Sequence, residues 1–91
     1  MIEIQLTIPN KLGLHARSAA KLVALATRLD ITLMLSRDGK QWVDARNIMG
    51  LLMLGAKQGT PLEFRIDGAD AETARAELDD LFARYFDEVQ D

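Results

Sequence analysis

The sequence predicts an α+β fold of two layers, an antiparallel sheet with helices over one face. Two patterns lead there. Several short segments alternate apolar and polar residues with a period of two, as strands do when one face meets a core and the other meets water. Between and after them lie segments with helical spacing, giving the order β-α-β-β-α-β-α. Half-polar strands favour antiparallel pairing with one covered face.

Each element has its own signal. Ile2, Ile4, Leu6 and Ile8 alternate with Glu3, Gln5 and Thr7, and Pro9 and Asn10 stop this first strand. Lys11 to Leu14 form a short loop containing Gly13. From Ala16 the period changes: Ala19, Val23 and Ala26, flanked by Leu22 and Leu29, mark a helix ending near Arg28 to Asp30. Ile31, Leu33 and Leu35 begin a second strand. Asp38-Gly39 is a tight-hairpin signal, since Gly tolerates the positive φ of such turns, and Gln41 to Asp44 form the return strand with Trp42 or Val43 on the core. Asn47 suits a helix cap before Ile48 to Leu54, which Gly55 stops. Leu62, Phe64 and Ile66 alternate with Glu63, Arg65 and Asp67 in a fourth strand. A last helix, started by Gly68 or Asp70, spans about residues 71–86 with Ala74, Leu78, Leu81, Phe82 and Tyr85 on one stripe.

The 91 residues, 1–91, are expected to form one domain, enough for a single two-layer core and too few to enclose a large substrate cavity. Chemistry is therefore expected at the surface. The formal net charge of −3 argues against nucleic acid as the main partner. The absence of cysteine excludes disulfides and thiol chemistry. One histidine without cysteine or a neighbouring carboxylate cluster does not make a four-ligand zinc site, so neither metal nor cofactor is expected. The apolar run from Ile48 to Ala56, broken by Gly50 and Gly55, is too short to span a bilayer, and no secretory signal is evident. A cytoplasmic location is the expectation.

Only His15 carries a side chain whose ordinary titration lies near neutrality. A lone histidine is usually incidental, but this one follows a glycine loop and enters a helix, where unpaired N–H groups and the helix dipole favour an anion. Arg17 adds a forked donor suited to phosphate oxygens. A neutral imidazole is a competent nucleophile, and phosphoryl transfer asks mainly for positioning and charge neutralisation. Arg17, Lys21 and Arg28 lie at nearly one angular position on the helix, a basic stripe that is either a solvated face or a docking strip for an acidic partner. A two-turn helix cannot hide all of its apolar residues against one sheet. With Leu51 and Leu54 on the core, Ile48, Met49 and Leu52 or Met53 are expected to face outward and contact partners.

The segment Asn10-Lys11-Leu12-Gly13-Leu14-His15-Ala16-Arg17-Ser18-Ala19-Ala20 closely resembles the active-site segment of HPr, the histidine phosphocarrier family of bacterial phosphotransferase systems. Ala45 to Ala56 resembles that family's regulatory-site helix, and Gln58-Gly59-Thr60 and Asp67-Gly68-Ala69-Asp70 also match. The resemblance implies an open-faced β-sandwich, four antiparallel strands with three helices on one side. It implies a phosphocarrier, not a stand-alone enzyme: His15 would take a phosphoryl group on Nδ1 from a phosphoenolpyruvate-dependent enzyme I and give it to an enzyme IIA-type protein. Arg17 matches the family's phosphate-stabilising arginine, and Ile48, Met49 and Leu52 match its docking surface, to which Lys21, Arg28 and Asn47 are added here. A carrier that must leave each partner quickly is expected to act as a monomer.

Two departures stand out. Ser18 occupies a position where the family usually has proline, a residue suited to a helix's first turn, so an altered helix entrance with retained chemistry is expected. Asn47 stands where many Gram-positive members carry a phosphorylatable serine, so that switch is expected to be absent. The resemblance implies a role in sugar uptake or in nitrogen or carbon regulation; Leu12, where sugar-branch members often have a small polar residue, makes Asn10-Lys11-Leu12-Gly13 look more like the nitrogen-related branch, which regulates rather than transports. The competing reading is a non-catalytic interaction module that keeps only the docking surface; Ser18 is its one hint, and the retained His15 and Arg17 oppose it.

Overall fold

The computed structural model describes residues 1–89. The strands are β1 (Ile2–Thr7), β2 (Thr32–Ser36), β3 (Val43–Asp44) and β4 (Pro61–Asp67). The helices are α1 (Ala16–Arg28), α2 (Ile48–Met53) and α3 (Ala71–Ala83), followed by a single 3-10 turn, Tyr85–Asp87. The four strands form one antiparallel sheet in the order β1-β4-β2-β3, with the three helices on one face. This is the expected open-faced sandwich.

The register explains why the alternation in the sequence predicts the faces. Ile4 pairs with Phe64, Phe64 with Leu35, and Leu35 with Val43, so one apolar row crosses the whole sheet. Ile2, Ile66 and Leu33 form a second row beside it. Phe64, Ile66, Leu33 and Leu35 are all buried, and they meet Ala19, Leu22, Leu25 and Ala26 of α1 and Ala74, Leu78, Leu81 and Phe82 of α3 in one core. On the open face the in-between residues pair with each other. Glu3 lies opposite Arg65 with the charged atoms 3.5 Å apart, and the Arg65 guanidinium sits 4.0 Å above the Trp42 ring. Val43 is thus the core-facing residue of the return strand, and Trp42 belongs to the other face.

Two local expectations need correction. The hairpin is wider than a two-residue turn: β3 is only Val43–Asp44, and residues 37–42 form the loop. The Asp38 side chain accepts hydrogen bonds from the backbone of Lys40 and Gln41, and Ser36 Oγ accepts one from Gly39. These side-chain bonds satisfy the backbone in place of a strand ladder. The bonds from Gln41 and Lys40 hold the Asp38 carboxyl below the usual carboxylate range.

The last helix also ends early. α3 stops at Ala83, and Tyr85, Phe86 and Asp87 all take left-handed backbone angles, with φ of 58°, 55° and 62°. Tyr85, expected on the buried stripe, is exposed, and Phe86 takes its place in the core. A left-handed residue with a side chain costs about 1–2 kcal/mol, so three in succession persist only because other contacts hold them. Phe86 supplies the main one. It packs on Phe82, ring centroids 4.9 Å apart, and Phe82 meets Phe64 edge-on at 5.7 Å. Truncating it, Phe86→Ala, is expected to cost about 3–5 kcal/mol and to release the segment after residue 84. Denaturant unfolding measures the loss, and amide hydrogen exchange shows whether residues 85–89 lose protection together.

Candidate functional site

The site is built on a loop that is pinned to the segment following α2. The Leu14 N–H donates to the Ala56 carbonyl at 2.8 Å, and the Gly13 N–H donates to the Asn10 carbonyl at 3.1 Å. Gly13 has φ of 68°, and a Cβ there would lie 2.5 Å from the Ala56 oxygen, so this close approach requires glycine. Asn10 is fully buried beneath the loop. Its Nδ2 donates to the Gly13 carbonyl at 2.8 Å and to Glu88 Oε1 at 3.0 Å. Both partners are acceptors, which fixes the orientation of the amide.

This loop delivers His15 to the N-terminal edge of α1. The residue is extended, with φ of −119°, and serves as the N-cap. Its Nδ1 accepts a hydrogen bond from the Arg17 backbone N–H at 3.3 Å. Its Nε2 lies 2.5 Å from Glu88 Oε2. An acceptor at Nδ1 and a carboxylate at Nε2 together place the ring proton on Nε2 and the in-plane lone pair on Nδ1. The imidazole side chain is 30% exposed, open on the side facing solvent, while Glu88 is only 6% exposed. The backbone donors at this end of α1 and the helix dipole favour negative charge beside Nδ1. Among the described residues the exposed Arg17 guanidinium has no hydrogen-bond or ion-pair partner.

Ser18 completes the entrance. Its buried Oγ accepts from the His15 backbone N–H at 2.9 Å and donates to the Gly13 carbonyl at 2.9 Å. The residue thus closes a reciprocal cap, His15 bonding forward and Ser18 bonding back. The hydroxyl ties helix to loop, work that a proline ring cannot do.

A protein-family model described as the PTS HPr component phosphorylation site matches residues 2–84. The chain belongs to the HPr family. The phosphocarrier protein HPr of Xylella fastidiosa strain Temecula1 is 47% identical over 88 residues, 97% of this chain and 98% of the relative. That of Cupriavidus necator is 44% identical over the same shares. Among solved structures, HPr from Thermoanaerobacter tengcongensis superposes with a TM-score of 0.91 at 37% identity, covering 99% of this chain and 100% of that one. Membership of HPr carries with it phosphocarrier function in the phosphotransferase system by way of a phosphohistidine.

The other residues singled out by sequence lie where follows. Lys21 Nζ is 3.2 Å from Asp87, and Arg28 pairs with Glu77 of α3, so these two of the three residues of the basic stripe face the acidic side of α3 and the turn after it. Both pairs are solvent-exposed, and such pairs contribute only about 0–1 kcal/mol. Asn47 caps α2, its Oδ1 accepting from the Gly50 N–H at 3.0 Å. Ile48 and Met49 are exposed, while Leu52 is half-buried against the core. Met53 and Leu12 are the most exposed apolar residues in this part of the chain, at 81% and 70%. No helix among the described residues is long and apolar enough to cross a membrane.

Sequence reasoning missed two residues of the site, Asn10 and Glu88. Asn10 was legible as a strand stop and as the start of the family-like segment, not as a contact of the site. Glu88 lies 73 residues from His15, and nothing local marks it among fourteen acidic residues.

Two outcomes follow from this geometry. Ser18→Ala removes the return bond of the reciprocal cap and the bond to the Gly13 carbonyl and is expected to lower stability by about 1–2 kcal/mol, measured by urea unfolding. For Glu88, burial pushes the carboxyl up, but the bonds from Asn10 and His15 and the charge of Arg17 outweigh it and hold it below the usual glutamate range. A carboxyl lowered in the fold stabilises fully above its unfolded value and loses that contribution as pH falls through the folded one. An acid titration followed by the Glu88 side-chain carbonyl resonance should therefore show a midpoint below that of a free glutamate; a midpoint at or above it contradicts the contacts.

Proposed function

We propose that His15 is the residue phosphorylated, that the phosphoryl group resides on Nδ1, and that Arg17 binds its oxygens. The observation that carries this reading is the direction of the ring. Nδ1 presents its lone pair to the amino end of α1 at 3.3 Å from the Arg17 N–H, with Nε2 already occupied. An incoming group on Nδ1 meets backbone donors, the helix dipole and a guanidinium that makes no hydrogen bond or ion pair among the described residues, and it needs no cavity. The donor in this reading is a phosphoenolpyruvate-dependent enzyme I and the acceptor an enzyme IIA-type protein.

Docking is assigned to exposed Ile48 and Met49 with Leu52 at their margin, and to Lys21 and Arg28 along α1. Asn47 holds α2 in place beneath the apolar cluster. The Asn10-Lys11-Leu12-Gly13 segment supports the nitrogen-related branch, in which the phosphorylated acceptor regulates rather than transports. The protein acts in the cytoplasm as a monomer.

The test is direct. With enzyme I, Mg²⁺ and labelled phosphoenolpyruvate, the wild type should take up an acid-labile, base-stable label that His15→Ala lacks. Arg17→Ala should still be labelled but at a rate reduced about 10²-fold, the scale of losing one charge-stabilising donor. Label retained in His15→Ala, or none on the wild type, overturns the reading. Offering the labelled protein to individual IIA proteins then identifies the acceptor.

A further inference from the structure

The chain beyond α3 is not a simple tail. After Ala83 three left-handed residues turn it back across the end of α1, where Phe86, Asp87 and Glu88 each have an attachment. Phe86 is buried in the core. Asp87 binds Lys21 at 3.2 Å and Arg84 at 2.8 Å. Glu88, next in sequence, is delivered to the back of the His15 ring, one carboxylate oxygen on Nε2 at 2.5 Å and the other on Asn10 Nδ2 at 3.0 Å. Asn10 itself is fully buried and bonded to the Gly13 carbonyl of the active-site loop. The carboxylate is thus gripped by two donors from one loop and is nearly shielded from water.

From this geometry we infer that Glu88 is a positioning residue for phosphoryl transfer, holding the His15 ring through Nε2–H so that Nδ1 is aimed at the incoming phosphorus. The inference rests on the reading of His15 as the acceptor. A ring bonded at one nitrogen alone can swing about its side-chain torsions. Bonded at both, it has one orientation and one tautomer. The chemistry adds a second consequence. When the Nδ1 lone pair forms the N–P bond, the bond from phosphorus to the donor breaks and its electron pair stays with the donor. The proton on Nε2 remains in place, and the ring gains positive charge that a carboxylate against Nε2–H opposes. When the group leaves for the acceptor, the N–P electron pair returns to Nδ1 and that charge disappears. A buried carboxylate on the far nitrogen therefore lowers the barrier to loading without taking or giving a proton, as carboxylates do behind histidines in other nucleophilic sites.

Two substitutions separate the hydrogen bond from the charge. Glu88→Gln keeps an acceptor of the same shape, and Glu88→Ala removes it. The first readout needs no transfer: ¹⁵N-labelled wild type should show a His15 Nε2–H proton signal protected from solvent exchange, Glu88→Gln should retain it, and Glu88→Ala should lose it. The second is single-turnover loading from phosphorylated enzyme I. Glu88→Ala should load about ten-fold more slowly at saturating donor, below the ~10²-fold that a 1 Å misplacement can cost, with the half-saturating donor concentration unchanged. Glu88→Gln should fall between it and wild type. A protected ring proton in Glu88→Ala overturns the inference even if the protein carries no phosphate at all. So does loading of Glu88→Ala at the wild-type rate, which would leave His15 as acceptor intact.

Discussion

The imidazole of His15 is the N-cap of its own helix, and most of the site's architecture exists to hold that arrangement. A cap normally comes from a short side chain that bonds the backbone two or three residues ahead. Here a ring does it, so the group that satisfies the helix's first donors is also the one with a nucleophilic lone pair. The same donors that now bind Nδ1 stand ready around any anion attached there. Because helix α1 is anchored in the core through Ala19, Leu22 and Ala26, the donors cannot drift. A small domain with no interior to spare thus obtains a preorganised anion site at its surface.

The constraint passes outward from that cap through two closures. On one side, Gly13 brings the loop against Ala56, which couples the histidine's position to the segment that leaves α2. The helix bearing the exposed Ile48 and Met49 and the loop bearing His15 therefore belong to one rigid frame. The exposed apolar cluster is thereby held in a set relation to the ring. On the other side, the aromatic series Phe64, Phe82 and Phe86 links the sheet to the C-terminal turn, and the turn ends on Glu88. Side-chain packing in the middle of the protein thereby sets the position of a carboxylate at its edge.

Most of the fold was legible because its signals are local. The alternation of Ile2 to Ile8 and of Leu62 to Ile66 reports faces directly, and antiparallel register then follows from matching apolar rows. His15 and Arg17 were legible for the same reason, since a glycine loop running into a helix is a contiguous pattern. What escaped was decided by distant contacts. Phe86 stands four residues after Phe82, the spacing of a continuing helix, and no glycine flags the left-handed turn that actually occurs. The width of the hairpin escaped because Asp38 and Ser36 capture backbone donors that a two-residue turn would have paired within the ladder.

Ser18 shows how such distant and local effects meet in one residue. Read alone, serine in place of the family's proline looks like a loss, since it gives up a preset backbone angle at a helix entrance. In the fold it forms the return half of the cap and bonds the Gly13 carbonyl besides. Proline stiffens the first turn through its ring; serine stiffens it by tying the turn to the loop before it. Both hold the backbone beneath the imidazole, but only the second also ties the helix entrance to the loop that carries Asn10, and through Asn10 to Glu88. A cap built from hydrogen bonds on the front of the ring and a carboxylate held by the same loop on its back form one network, so exchanging Ser18 for proline would loosen both sides of His15 together.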